Sequence, residues 1–147
     1  MRLPLPPDIL IPWRTKILAS LAVHGLTADV GPKRPADVVN LSQPFVRIMC
    51  LGGSWDHILL WRPRLAAESW APTVVEAHRL EAVVAYATTL MEGFHLPSTA
   101  EVDGFRITQC SLALQGADQT VDGAPLVLTT TDPLCVQVVQ FKREVTP

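Results

Sequence analysis

The sequence predicts a single α+β domain with a mainly antiparallel sheet packed by two helices. Three observations lead to this prediction: a length of 147 residues, two segments with helical periodicity, and short strand-like runs between and after them. The length suits one domain, since domains cluster at about 100–150 residues. The expected order is helix, strands, helix, strands.

The composition restricts the possible function classes. At 48% hydrophobic and 18% charged residues, the chain is too apolar to be disordered. A net charge of −2 argues against a dedicated nucleic-acid binder, which would present a basic surface. Low charge combined with many apolar residues favours a surface that is partly buried against other subunits.

The first helix is predicted over residues 12–24. Pro12 suits the first turn, because the N–H that proline lacks would have no helical partner there. Gly25 is a favourable residue at which to end the helix. The proline-rich residues 1–11 are expected to form an extended arm, and residues 31–44 a long loop that takes part in assembly.

Strand-like runs follow this loop. Residues 45–51 end at Gly52-Gly53, which predicts a hairpin turn. The extended segment 55–70 contains Pro63, which predicts a sheet edge, a bulge or a break between two strands. Two further strands, at 105–114 and 134–142, flank a long polar loop at 115–132, which is also assigned to assembly.

The second helix is predicted over residues 74–94. Thr73 and Glu76 have the spacing of a capping box, in which each residue satisfies a backbone N–H of the other. The helical spacing predicts one core-facing stripe and one solvent side, and Glu81 and Ala85 fall on the solvent side. The predicted core stripe consists of Ala77, Leu80, Val84, Ala87, Met91 and Phe94.

Catalytic and metal-binding patterns are weak. The four histidines lie in separate elements without metal-ligand spacing, so neither a metal nor another cofactor is expected. Ser54, Asp56 and His57 form the one arrangement that suggests nucleophilic catalysis. Adjacent strand residues point to opposite faces of a sheet, so a polar hairpin tip is the favoured interpretation. We therefore expect no enzymatic activity.

The charge distribution and the tryptophans suggest assembly instead. Residues 1–34 carry five basic and two acidic residues, whereas residues 92–132 carry six acidic residues and one basic residue. This polarity suits head-to-tail contacts between subunits. Tryptophan and arginine often anchor interfaces, although Trp70 is expected in the core and Trp61 fits either role. The interface candidates are Trp13, Lys33, Arg34, Trp61, Arg62, Asp118 and Asp122.

The order of motifs extends over most of the chain, about residues 8–143. The motifs are Gly31-Pro32, Pro44-Phe-Val-Arg-Ile, Gly52-Gly53, Glu68-Ser-Trp-Ala, Glu76-Ala-His, Gly104-Phe-Arg-Ile and Cys135-Val-Gln-Val-Val. In this order they resemble the tail terminator (tail completion) proteins of long-tailed bacteriophages.

The resemblance implies a structural virion protein without catalytic residues or cofactor. Such proteins form a ring, a hexamer, that caps the tail tube, ends its polymerisation and provides the head-attachment surface. The implied partners are further copies of the chain, the tail tube protein and the head–tail connector protein. Genome DNA passes through the channel without specific binding. The implied location is the tail–neck junction of the virion, after assembly in the host cytoplasm.

Two other functions remain open. The chain could be a head-closure or connector protein of the neck, which has a similar size. In a different class, it could be a small α+β ligand-binding or hydrolytic domain that uses Ser54, Asp56 and His57.

Overall fold

The computed structural model describes residues 6–38, 40–41, 43–56, 59–100, 102–110, 117–121, 123–131 and 135–141. These residues form two helices and eight strands, which confirms the predicted α+β class. The elements are α1 (Leu10–Val23), β1 (Asp29–Gly31), β2 (Phe45–Asp56), β3 (Leu60–Trp70), α2 (Val74–Thr89), β4 (His95–Leu96), β5 (Val102–Gln109), β6 (Ala117–Val121), β7 (Ala124–Thr130) and β8 (Cys135–Phe141).

The sheet forks at β3. The first residues of β3, Leu60 and Trp61, pair with β8, whereas Ala66–Trp70 pair with β7. One branch continues through β8 to β5 and β4, and the other continues from β7 to β6. On the remaining side β3 pairs with β2, and β1 joins β2 in the one parallel pairing among the described strands. The sheet is therefore mainly antiparallel, as predicted.

Both helices pack on one face of this sheet, and that face holds the main core. Its side chains come from α1, α2 and alternate positions of the strands, as the two-residue period of a strand requires. We call this the helix face and the opposite side the outer face. A second cluster, on the outer face, contains Trp70, Ala124 and Leu126. The predicted core position of Trp70 is confirmed, since this residue is fully buried.

Helix α1 begins two residues earlier than predicted. The Asp8 carboxylate accepts hydrogen bonds from the backbone N–H groups of Leu10 at 3.0 Å and Ile11 at 3.5 Å, so it satisfies donors of the first turn. The extended arm predicted for residues 1–11 is therefore too long. Residues 6–9 precede the helix, with Pro7 and Ile9 buried, and residues 1–5 lie outside the described part of the chain.

Helix α2 begins as predicted and ends earlier. The Thr73 hydroxyl accepts a hydrogen bond from the Glu76 backbone N–H at 3.2 Å, which is one half of the predicted capping box. The helix ends at Thr89 instead of residue 94. The N–H groups of Met91 and Glu92 donate to carbonyls three residues back, and Gly93, with φ of 82°, then turns the chain. The Gly93 N–H then donates to the Ile107 carbonyl at 2.7 Å, which leads the chain into β4.

The solvent side predicted for α2 is partly wrong. Glu81 and Ala85 are both buried, because α2 contacts β7 in addition to β3 and α1. Ala77 on the same helix packs with Val127 of β7. The buried part of α2 is consequently wider than a single core-facing stripe.

The hairpin turn predicted at Gly52-Gly53 is wrong, because β2 continues through both glycines to Asp56. The register between β2 and β3 shifts between Cys50 and Gly53, and Gly53 lies opposite Pro63. Proline cannot donate a hydrogen bond to the sheet, and a bulge accommodates it. Of the three alternatives for Pro63, the bulge is the correct one.

The long loop predicted for residues 115–132 is also wrong. This range contains β6 and β7, which pair from Ala117↔Leu128 to Val121↔Ala124 as a hairpin. Gly123, with φ of 83°, lies at its turn. Polar composition suggested a loop here, but an edge strand with one described neighbour can be polar because its free side faces water.

Candidate interaction surfaces

A buried ionic cluster lies on the outer face. The Glu68 side chain is 6% exposed and accepts hydrogen bonds from two arginines, Arg47 at 2.9 Å and Arg34 at 3.2 Å. Arg47 and Glu68 are directly paired across β2 and β3. A buried carboxylate requires such partners, because loss of hydration penalises the unpaired charge.

The same cluster attaches the 31–44 segment to the sheet. The Arg34 guanidinium carbon lies 5.6 Å from the centre of the Trp70 ring, within cation–π distance. Arg47 also donates to the Pro32 carbonyl at 3.1 Å. Val38 and Leu41 pack against the outer-face cluster around Trp70. Apart from Gly31 in β1, the described residues of this segment are irregular, and they cover part of the outer face.

Of the basic interface candidates in this segment, Arg34 is in the ionic cluster with half of its side chain exposed. Lys33 is exposed beside it. Arg34 therefore has a structural role that the sequence did not indicate, whereas Lys33 stays available as a contact residue.

Two of the tryptophans predicted as interface anchors lie in the core. Trp13 has no exposed surface, and its indole N–H donates to the Thr88 hydroxyl at 3.0 Å. Trp61 is 7% exposed and stacks on Trp55, with ring centres 6.2 Å apart. For Trp61 the core is one of the two roles that the sequence allowed. Burial leaves both side chains little surface for a partner, and their interface role stays a prediction.

The described residues around Ser54 and Asp56, the region for which a polar hairpin tip was favoured over a catalytic site, belong to the exposed β2–β3 hairpin. Asp56 forms an ion pair with Arg62 at 2.8 Å, and both side chains are 45% exposed. Ser54 is exposed on β2 opposite Arg62. His57 lies outside the described residues. The Asp56 carboxylate is thus paired with Arg62. Arg62 is still exposed and stays an interface candidate.

One of the two acidic candidates, Asp118, belongs to the β6–β7 hairpin. Asp118 is in β6, which pairs with β7 on one side and has no second strand neighbour among the described residues. Asp122 lies outside the described residues. Asp118 is therefore in an edge strand, where a charged residue discourages indiscriminate pairing with other chains.

Sites for ligands are limited in the described residues. They contain no group of three or more histidine, cysteine or acidic residues that could hold a metal ion. Neither α1 nor α2 is long and apolar enough to cross a membrane. A cavity of about 420 Å³ lies between the end of α1 and α2, lined by His24, Leu26, Arg79, Ala82 and Val83.

The sequence reasoning did not single out two members of the ionic cluster, Arg47 and Glu68. One signal was available, since Glu68 stands within the run Leu65-Ala-Ala-Glu-Ser-Trp-Ala71. An acidic residue inside an otherwise apolar strand needs a cationic partner. Arg47 on the preceding strand was a candidate for that role.

Comparison of the sequence with protein-family models and with curated proteins found no match.

Proposed function

We propose that the chain is a structural subunit of a phage neck that forms a ring on the end of the tail tube. In this role it stops the addition of tube subunits and offers a surface to the head connector. The proposal rests on the resemblance in motif order together with one structural observation: among the edges of the described sheet, the open edges of β2 and β6 are unlike each other.

The first open edge belongs to β2. Strand β1 pairs only with Phe45–Arg47, so β2 from Ile48 to Asp56 has no strand neighbour on that side among the described residues. The second open edge is β6. Following the sheet from β2 through β3 and β7 to β6, each step is antiparallel, so β2 and β6 run in opposite directions.

This arrangement suits a ring. In a cyclic assembly each contact joins two different surfaces of neighbouring subunits. Neighbouring subunits of a ring have the same orientation relative to the ring axis. If β6 of one subunit lay beside β2 of the next, the two strands would therefore be antiparallel, which is a favourable pairing. Beside the β2 edge Arg62 is already paired with Asp56, so the exposed Arg64 of β3 is the cation that we propose to face Asp118 of β6.

The first test uses phage particles with and without this gene, observed by negative-stain microscopy. A terminator predicts abnormally long tails without heads when the gene is absent. Tails of normal length that fail to join heads would instead assign the chain to the connector class. Unaltered particles would contradict both neck functions.

A second test concerns the proposed edge contact. Asp118→Lys would place a basic side chain on β6 and is expected to prevent ring formation and tail capping. Asp103→Lys is the matched control, since Asp103 is an exposed acidic residue on β5. Loss of rings in both variants, or in neither, would contradict the assignment of the contact to β6.

A further inference from the structure

Helix α2 has an exposed stripe that the ring proposal does not use. It consists of Val75, Arg79, Ala82, Tyr86 and the C-cap residue Leu90, with spacings of four, three, four and four residues. These spacings place the five residues on one line along the helix, on the side opposite Leu80 and Val84 in the core. Val75 is 71% exposed, Tyr86 51% and Leu90 44%. The stripe therefore exposes three large side chains along one line of the helix, with Arg79 and Ala82 between the first two.

The stripe is complementary to itself. When two copies of a helix pack antiparallel about a two-fold axis, contacting residues have a constant sum of numbers. An axis between residues 82 and 83 pairs Val75 with Leu90 of the second copy and Arg79 with Tyr86 of the second copy. It places Ala82 half a residue from the axis, so the two copies of Ala82 lie next to each other. Apolar residues thus face apolar residues, and a cation faces an aromatic ring. We infer that two copies of this chain associate through α2 in this way.

Arg79 supports a second copy as the partner. This residue is exposed and forms no ion pair or hydrogen bond with the described residues. In the dimer each Arg79 would lie over a Tyr86 ring, an interaction that strengthens when water is excluded. The two Arg79 residues would be about seven helical positions apart, or about 10 Å along the axis, so their repulsion would be small.

The centre of the stripe permits close approach. Ala82 is the smallest of the five side chains and lies next to the two-fold axis, where the helices are nearest. The cavity of about 420 Å³ that includes Ala82, Val83 and His24 in its lining opens beside this point. It offers space for an aromatic side chain of the second copy, and His24 already makes an edge-to-face contact with Tyr86, at 5.6 Å between ring centres.

This contact is distinct from the ring contact. It is isologous and uses a helix on the helix face, whereas the proposed ring joins two different sheet edges. A 16-residue helix is about 24 Å long, so it buries less area than a standard interface. We therefore expect a weak dimer of the free protein, with a Kd at or above about micromolar.

Sedimentation velocity over a wide range of protein concentrations tests the dimer. Wild type is expected to pass from monomer to dimer. Ala82→Arg, which places two charges at the axis, and Tyr86→Ala are each expected to raise the Kd at least about tenfold. Ala19→Arg is the matched control, because Ala19 is an exposed alanine on α1. Circular dichroism checks that each variant is folded.

A cysteine at the axis gives an independent measurement. Ala82→Cys is expected to form an intermolecular disulfide between the two equivalent positions, identified by mass spectrometry of the linked peptides, whereas Ala19→Cys is not. A monomer at every concentration would overturn the inference, as would a dimer that Ala82→Arg leaves intact. These outcomes leave the ring proposal unaffected, since rings and tail length are measured separately.

Discussion

Arg47 donates a hydrogen bond of 2.9 Å to the buried carboxylate of Glu68, and the two residues are directly paired across β2 and β3. This ion pair therefore favours one register of the two strands, since a shift by one residue would place the two side chains on opposite faces of the sheet. Arg34 adds a second contact to the same carboxylate and brings the 31–44 segment to the sheet. The cluster thus connects strand register with the covering of the outer face.

The first prediction concerns the charge of Glu68. Glu68→Gln keeps the shape of the side chain and removes its charge, so two charge-assisted hydrogen bonds weaken at once. We expect the free energy of unfolding to fall by about 1.5–3 kcal/mol in urea titration. The control is Asp56→Asn, which weakens the ion pair with Arg62, whose two side chains are each 45% exposed. This change should lower the free energy of unfolding by at most about 1 kcal/mol. Equal losses would contradict a special role of the buried carboxylate.

The second prediction tests the core position of Trp13. Trp13→Phe removes the indole N–H that donates to the Thr88 hydroxyl and leaves a small void in the main core. We expect the free energy of unfolding to fall by about 1–3 kcal/mol, measured by chemical denaturation.

Ile11→Ala provides the comparison for Trp13, because Ile11 is on the same helix and 68% exposed. Its effect should stay within about 0.5 kcal/mol. A stable Trp13→Phe protein with impaired assembly would instead support the interface prediction for Trp13.

Local signals in the sequence predicted the two helices and the fold class, but not every element boundary. The start of α2 depends on Thr73 and Glu76, which lie three residues apart, and it was predicted correctly. The early end of α2 was not predicted, and the chain that follows it is held by a hydrogen bond from Gly93 to Ile107, fourteen residues away. Sequence patterns report local interactions, so an element boundary that a distant strand determines is not visible in them.

The candidate site was less predictable for the same reason. A tryptophan suits a core and an interface equally well by type, and only the fold brings Thr88 next to Trp13. Glu68 carried the clearest signal, an acidic residue in an apolar strand, but its two partners come from different segments. Clusters built from separate segments need the tertiary structure.

The third prediction concerns the bulge in β2. A Cβ atom on Gly53 would lie 2.7 Å from both the Arg62 carbonyl oxygen and the Pro63 Cα atom, which are backbone atoms that cannot move independently. Gly53→Ala should therefore destabilise the hairpin by about 1–3 kcal/mol. Gly104→Ala is the matched control, because a Cβ atom on Gly104 would lie 3.4 Å from its nearest neighbour, the Val139 side chain. Thermal unfolding of both variants measures the difference, and equal stability would contradict the close approach.

The last prediction uses the Cys110 thiol, which donates to the Thr88 carbonyl at 2.9 Å. Burial, with a smaller contribution from the Glu92 charge, raises its pKa from 9.0 to about 11. Because the folded-state pKa is the higher one, the stabilising contribution is complete below about pH 9 and is lost as the pH rises towards 11. The free energy of unfolding should therefore decline more steeply over this interval in wild type than in Cys110→Ala. Cys50→Ala, at an exposed thiol, should keep the wild-type slope, and parallel curves for all three proteins would contradict the shift.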